Sequence, residues 1–218
     1  MNASWYPPTM PPSVPPPPGQ GAPPQGDWAD AIRSRLFEHR TILIRGVLDD
    51  AAATQAAAEL MTLDATGDSR ITVHLDAGGG GTLEGAFAVM DVIDLLGVPV
   101  HVLCVGRAEG PAVGVLAVGS RRASTPHARI RLSDPETTAA GSASELARWA
   151  EHHTEQLRRF HQRVAQAVSR PVGEVARDFA SGRYLNPQDA VAYGLIDEIA
   201  TPRGAVFPLP GRTVGFQP

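Results

Sequence analysis

The stretch CVGRAEGPAVGVLAVG, residues 104–119, predicts a buried strand that passes through a tight turn into a helix of small residues. The predicted strand ends at Cys104 and Val105, the turn covers residues 106–111, and residues 112–118 supply apolar helical positions. A turn of this kind exposes one side chain at the edge of a sheet, which is where many hydrolases carry their nucleophile. This turn contains no Ser, Cys or Thr. It is therefore either a catalytic elbow without its nucleophile or an ordinary loop.

Strand-like and helix-like segments alternate on both sides of this stretch. Strands are predicted at 41–46, 70–76, 100–105 and 128–134, and helices at 29–37, 49–63 and 83–96. The alternation of Ile71, Val73 and Leu75 with polar residues is typical of a strand. Strands that alternate with helices favour parallel βαβ units, so the sequence predicts an α/β fold.

The composition divides the chain into three parts. Residues 1–26 are rich in proline, a composition typical of extended chain without helix or sheet hydrogen bonds. We interpret this segment as a disordered tail, with a ligand for a proline-recognition domain as the alternative. Residues 27–200 form the predicted folded domain, and residues 201–218 a C-terminal tail.

Charge and cysteine content exclude several classes of protein. The net charge of −4 gives no reason to expect nucleic acid or an acidic membrane as a partner. Cys104 is the single cysteine, which excludes an internal disulfide and a Cys-based zinc site, and its apolar neighbours favour a packed core thiol. No apolar run approaches the roughly 20 residues of a membrane span, and no signal-peptide pattern is present, so we expect a cytoplasmic protein.

Four consecutive glycines at 78–81 follow a predicted strand and precede a helix. Their spacing lacks the strict dinucleotide-binding pattern, and the next strand ends without the acidic residue that such a site requires. We interpret them as a turn whose backbone N–H groups point into a cleft, as stabilisation of an oxyanion requires. The seven histidines show no metal-ligand spacing, and the sequence predicts neither a metal nor a cofactor.

Apolar residues recur every three or four positions between residues 146 and 168 and predict an amphipathic helix. Its length of roughly 36 Å, at 1.5 Å per residue, exceeds what a small domain can cover. We therefore expect the apolar stripe to be buried between chains. Its members are Leu146, Trp149, Leu157, Phe160 and Val164.

Four motifs, in this order, resemble the ClpP family, the proteolytic subunit of the Clp protease. The family's Ser-Pro-Gly-Gly-Ser turn corresponds to LDAGGGGTLEG (75–85), and its Ile-Cys-Val-Gly-x-Ala-Ala-Ser-Met-Gly motif to LCVGRAEGPAVG (103–114). Its Ser-Arg-Ile-Met-Ile-His-Gln-Pro motif corresponds to ARIRLSDP (128–135), and the motif that begins Asp-Arg-Phe-Met-Ser to GRYLNPQDAVAYGLID (182–197). The resemblance implies a crotonase-like fold, serine endopeptidase activity coupled to a separate ATPase unfoldase, and heptameric rings joined through the long projecting helix.

Carried over position by position, the resemblance places none of the family's catalytic residues in this chain. The nucleophilic serine falls on Gly110, the general-base histidine on Ser133 and the orienting aspartate on Gly182. One oxyanion donor falls on Pro111, which has no N–H, and the other near Gly79. The resemblance therefore implies an inactive ring subunit, in homomeric rings or in rings mixed with other ClpP-like subunits, with a Clp ATPase as the expected partner.

The sequence leaves two alternatives open. A displaced nucleophile would preserve peptidase activity, and the candidates are Ser133, Ser120 and Ser124, although none lies on the elbow beside the remaining donor. Glu109 precedes the vacant nucleophile position and would serve a repurposed acid/base enzyme of the crotonase type. We favour a simpler interpretation of Glu109 as a solvated turn residue.

Overall fold

The computed structural model of the protein describes residues 25–200, with side chains from Asp30 onwards. The predicted tails lie outside these residues, apart from residues 25 and 26, which begin the first helix. The helices are α1 (Gln25–Glu38), α2 (Asp50–Ala65), α3 (Leu83–Leu95), α4 (Ala112–Ala117), α5 (Ala143–Val168), α6 (Val172–Ala180) and α7 (Pro187–Tyr193). The strands are β1 (Thr41–Gly46), β2 (Ile71–Ala77), β3 (Val100–Glu109), β4 (Arg121–Ser124), β5 (Arg129–Arg131), β6 (Tyr184–Leu185) and β7 (Glu198–Ile199).

Within residues 25–200, the seven strands form one sheet, in which five follow the order β1-β2-β3-β4-β7 and run parallel to their neighbours. The first half of β3 pairs with β4, whereas its last three residues pair with β5. The short strand β6 then pairs antiparallel with β5. The predicted α/β fold with parallel βαβ units is confirmed. The carboxyl end of β3 lies between β2 and β5, and this position brings several loops together.

The strand β3 is longer than the sequence predicts. It continues to Glu109 rather than ending at Val105, because residues 107–109 find backbone partners in β5. The turn that follows therefore shrinks to Gly110 and Pro111 before α4 begins. A strand that enters a helix through two residues makes a sharp change of direction at Gly110.

Polar side chains determine where the helices next to this region begin. The Thr82 hydroxyl caps α3 directly after the glycine turn. Ser142 and Glu145 form a reciprocal capping box at the start of α5, and hydrogen bonds from Ser142 lower the pKa of the Glu145 carboxyl. The segment NPQDAVAYG (186–194) predicts a short helix, because Asn is a favoured N-cap, Pro suits the first helical position and Gly marks the end. The structure confirms this: Asn186 caps α7, and Gly194 ends it with a left-handed φ of 84°.

The helix α5 has 26 residues and divides into two halves with different surroundings. Between residues 143 and 159 no side chain is buried, and Trp149 remains 38% exposed, so the predicted projection is confirmed. Phe160 and Val164 are instead completely buried inside their own chain, where Phe160 packs closely over Gly114 of α4. The expectation that these two residues lie between chains is wrong, because their own domain already covers them.

Cys104 lies at the centre of the sheet and is fully buried. Burial raises the pKa of its thiol to about 12. The interpretation of Cys104 as a packed core thiol is confirmed. Among the described helices, none combines the length and the apolar character that crossing a bilayer requires.

Candidate active site

The turn between β3 and α4 has the backbone of a nucleophile elbow. Gly110 lies at its apex with a left-handed φ of 58°, and its N–H donates to the carbonyl oxygen of Arg131 over 3.1 Å. Pro111 follows in helical conformation and caps α4 without a side-chain hydrogen bond. A sharp, strained strand-to-helix turn is the feature that presents a nucleophile in many hydrolases. This elbow presents a hydrogen atom instead of a side chain.

The space next to Gly110 is occupied by Ser133. A Cβ atom built on Gly110 would lie 3.6 Å from the Ser133 hydroxyl and 3.4 Å from its carbonyl oxygen. Ser133 therefore faces the elbow more closely than the sequence predicts, and its hydroxyl makes no hydrogen bond with another described residue. The other two candidate serines are unsuited to the role: Ser120 donates to the carbonyl of Val100, and Ser124 is fully buried.

Gly182 also has a left-handed backbone, with a φ of 68°, directly after α6. A Cβ atom built on Gly182 would lie 3.2 Å from the Nη2 atom of Arg131. Arg131 is on β5, two residues before Ser133. The structure thus gathers the three positions 110, 133 and 182 around the end of β5, and a guanidinium group lies beside the position of the missing aspartate.

Glu109 is buried, with only 8% of its surface exposed. Its Oε2 atom accepts a hydrogen bond from the Gly79 N–H over 3.2 Å. Its Oε1 atom accepts two from the Arg129 guanidinium over 2.7 and 3.1 Å, and this pairing raises the pKa of Arg129. The interpretation of Glu109 as a solvated turn residue is wrong, because Arg129 and the glycine turn supply the partners that a buried carboxylate needs.

In the glycine turn, the N–H group of Gly79 already has an acceptor. Gly80 takes a left-handed φ of 93°, and Gly78 is held by its N–H bond to Gly46, so the backbone between them is tightly constrained. The Gly79 N–H that would stabilise an oxyanion donates to the Glu109 carboxylate. The second donor position is Pro111, which has no N–H.

Sequence reasoning did not identify Arg129 and Arg131 as site residues. They alternate with the fully buried Ile130, so both point to the face of the sheet opposite the core. The Tyr184 ring lies on the same face, with the two guanidinium carbons 6.0 and 5.3 Å from its centroid. The period-two pattern of RIR was the sequence signal, but it does not show which face lies near the elbow.

His161 of α5 is buried and pairs with a carboxylate. Its Nε2 atom lies 2.8 Å from an oxygen of Asp134, the residue that follows Ser133. This contact fixes the loop after β5 to α5. Among the residues that the structure describes, no three His, Cys, Asp or Glu side chains are grouped so that they could hold a metal ion.

Comparison with known proteins identifies the family to which this fold belongs. The family model described as Clp protease matches residues 24–203. The chain is 31% identical over 181 residues to an ATP-dependent Clp protease proteolytic subunit from Oltmannsiellopsis viridis, a match that covers 82% of this chain and 92% of the relative. It is 30% identical over 188 residues to ATP-dependent Clp protease proteolytic subunit 3 from Rhodococcus jostii (strain RHA1), with 85% and 93% coverage.

Proposed function

We propose that this chain, which belongs to the Clp protease family, is a non-catalytic subunit of a Clp-type ring complex. The observation that carries the proposal is the hydrogen bond from the Gly79 N–H to the Glu109 carboxylate. The chain's own side chain occupies the donor that a peptidase would need for its transition state. The residues needed for covalent chemistry are absent from the same site.

The first part of the argument is the missing nucleophile and base. Gly110 has no reactive atom, and Ser133 stands where the family carries its general-base histidine. Loss of the triad in a serine protease lowers turnover by roughly a million-fold, and the activity that remains depends on an intact oxyanion hole.

The oxyanion hole supports the same conclusion. Removing one donor from such a hole costs roughly a hundred- to thousand-fold in turnover. Pro111 supplies no donor, and the Gly79 N–H is bonded to a carboxylate. A negative charge at this point also repels a developing oxyanion. No rate enhancement of practical size is left for peptide hydrolysis.

The contacts of the two alternative residues argue against other chemistry. Both oxygens of Glu109 are hydrogen-bonded, one to Gly79 and the other to Arg129, so neither is free to take a proton from a substrate. The Ser133 hydroxyl has no hydrogen bond to a histidine or carboxylate among residues 25–200, so it lacks a base. A serine without a base is not an activated nucleophile.

The ring part of the proposal is supported by α5. Its first half carries the exposed apolar side chains of Leu146 and Trp149, which are 37% and 38% exposed. Family membership and this projecting apolar surface together favour assembly with further ClpP-like subunits, identical or different, in the cytoplasm. A Clp ATPase is the proposed partner of the assembled ring.

The proposal is tested by hydrolysis of short fluorogenic peptides, with the wild-type chain compared with Ser133→Ala and Gly110→Ser. We expect no hydrolysis by any of the three. Gly110→Ser stays inactive because the new hydroxyl has no base and the Gly79 N–H remains bonded to Glu109. Hydrolysis by the wild type that disappears in Ser133→Ala would contradict the proposal and identify Ser133 as the nucleophile.

A further inference from the structure

The guanidinium group of Arg131 has no polar partner among the residues that the structure describes. It donates no hydrogen bond and forms no ion pair with any residue in 25–200, and its Nε atom is inaccessible to solvent. The neighbouring carboxylate, Glu109, is its register partner on β3 but pairs with Arg129 instead. A buried N–H without an acceptor is costly, and such groups usually find one.

The surroundings of Arg131 hold the group in place and leave part of the side chain exposed. The Tyr184 ring stacks near the guanidinium, with its centroid 5.3 Å from the central carbon. Gly182 contributes no side chain, and a Cβ atom at this position would come within 3.2 Å of Nη2, so the guanidinium packs directly against the glycine backbone. Tyr184 is 57% exposed, so the group can be reached from solvent.

The charge on this face of the sheet is predominantly positive. Arg107, Arg129 and Arg131 project from two neighbouring strands, and the carboxylates that pair with them are Asp76 and Glu109. Each of the first two arginines has its carboxylate, so among residues 25–200 only the charge of Arg131 on this face is left without one. A planar guanidinium with free N–H groups matches the two oxygens of a carboxylate or phosphate.

We propose that Arg131 and Tyr184, next to Gly182, form a binding site for an oxyanion, a carboxylate or a phosphate group. The site lies where the family's catalytic aspartate would stand. A positive charge therefore occupies the place of a negative one. A ligand with an α-carboxylate, such as the C-terminus of a peptide, and a free phosphate ion both have the required chemistry.

Isothermal titration calorimetry on the full chain in low-chloride buffer tests the site. The titrants are inorganic phosphate, a short peptide with a free C-terminal carboxylate, and the same peptide as its amide. We expect saturable binding of phosphate or of the free-acid peptide and none of the amide. Binding of phosphate alone identifies a free anion as the source, and binding of the free-acid peptide alone identifies a peptide terminus. Absence of saturable binding for both would overturn the proposal.

Variants distinguish this site from general attraction to a charged surface. Arg131→Gln should weaken binding by about 10- to 100-fold, the value of a charge-assisted hydrogen-bonded pair. Arg35→Gln, an exposed position on α1, makes the same change of net charge and should bind like the wild type. If Arg131→Gln fails to fold, Arg131→Lys tests the proposal instead. Lysine keeps the positive charge but loses the planar guanidinium with its paired N–H donors. An equal loss of affinity in Arg131→Gln and Arg35→Gln would contradict the proposal. So would wild-type affinity in Arg131→Lys.

Discussion

At the scale of single residues, Glu109 replaces an alanine of the family motif and changes what the elbow can do. A carboxylate buried beside the Gly79 N–H requires a positive partner, and Arg129 supplies it from the neighbouring strand. The Glu109 carboxylate is thereby held on the Gly79 N–H, at the point where a hydrolase would bind an oxyanion. Glycine at 110 completes the change, because its left-handed backbone strains any L-residue placed there.

Cys104 provides a residue-scale prediction about reactivity. Its thiol is fully buried, and burial raises its pKa to about 12, so almost no thiolate exists near neutral pH. We expect native protein to resist modification by a chromogenic disulfide reagent and to react with one equivalent after unfolding in guanidinium chloride. Rapid modification of the native protein, with its circular dichroism unchanged, would show that the thiol is accessible.

At the scale of elements, the sequence predicts those parts whose signals are local. The alternation in β2 and the N-cap and glycine stop of α7 are confirmed because a few adjacent residues determine them. The last residues of β3 and the burial of Glu109 depend on β5, about twenty residues further along the chain. Periodicity in α5 likewise predicts an apolar stripe but does not show whether the same chain or another covers it. The pattern therefore predicts Phe160 between chains, whereas its own domain buries it.

The segment between α7 and β7 is held to the sheet by hydrogen bonds from Arg122 of β4. Its guanidinium binds the Asp197 carboxylate and also donates to the carbonyls of Ala167 and Gly194. Burial alone would raise the pKa of Asp197, but the side-chain and backbone hydrogen bonds from Arg122 outweigh it and lower the pKa. Arg122 thus joins β4, α5 and the segment after α7.

Replacement of Arg122 by Gln should lower the free energy of unfolding by about 2 kcal/mol at pH 7, because several hydrogen bonds of a charged group are lost. The carboxylate with a lowered pKa stabilises the fold above its unfolded pKa near 3.8, and this contribution disappears as the pH falls through the folded value. In urea unfolding between pH 7 and 3, the free energy of unfolding should therefore fall more steeply with acid in the wild type than in the variant.

The histidines are the same in both proteins, so the difference between the two curves reports on Asp197. Arg177→Gln, an exposed change on α6, serves as the control and should follow the wild type. Parallel curves for the wild type and Arg122→Gln over the whole pH range would contradict the role assigned to this pair.

At the scale of the whole molecule, α5 serves two purposes along its length. Its second half completes the core through Phe160, whose ring lies edge-on to Phe179 at 5.5 Å. Its first half extends into solvent, where Trp149 stacks on His153 with ring centroids 4.9 Å apart. The exposed aromatic pair is the surface that the proposed ring assembly would cover.

Two alanine variants separate these purposes. Trp149→Ala should lower the mass of the assembly in native mass spectrometry while leaving the unfolding of the subunit nearly unchanged. Phe160→Ala should instead lower the free energy of unfolding by about 3–5 kcal/mol, because it opens a cavity in the core. A wild-type chain that remains monomeric, or a Trp149→Ala variant that assembles like the wild type, would contradict the assembly role of α5.

The central claim, that this member of the Clp protease family has no serine nucleophile, is tested most directly by a fluorophosphonate probe. The purified wild-type protein is incubated with the probe and analysed by intact mass and peptide mapping, with an active serine hydrolase as the positive control. We predict no labelling, because Gly110 offers no hydroxyl and Ser133, the serine that faces the elbow, has no base among the described residues. Stoichiometric labelling of one serine, abolished by its replacement with alanine, would contradict the claim.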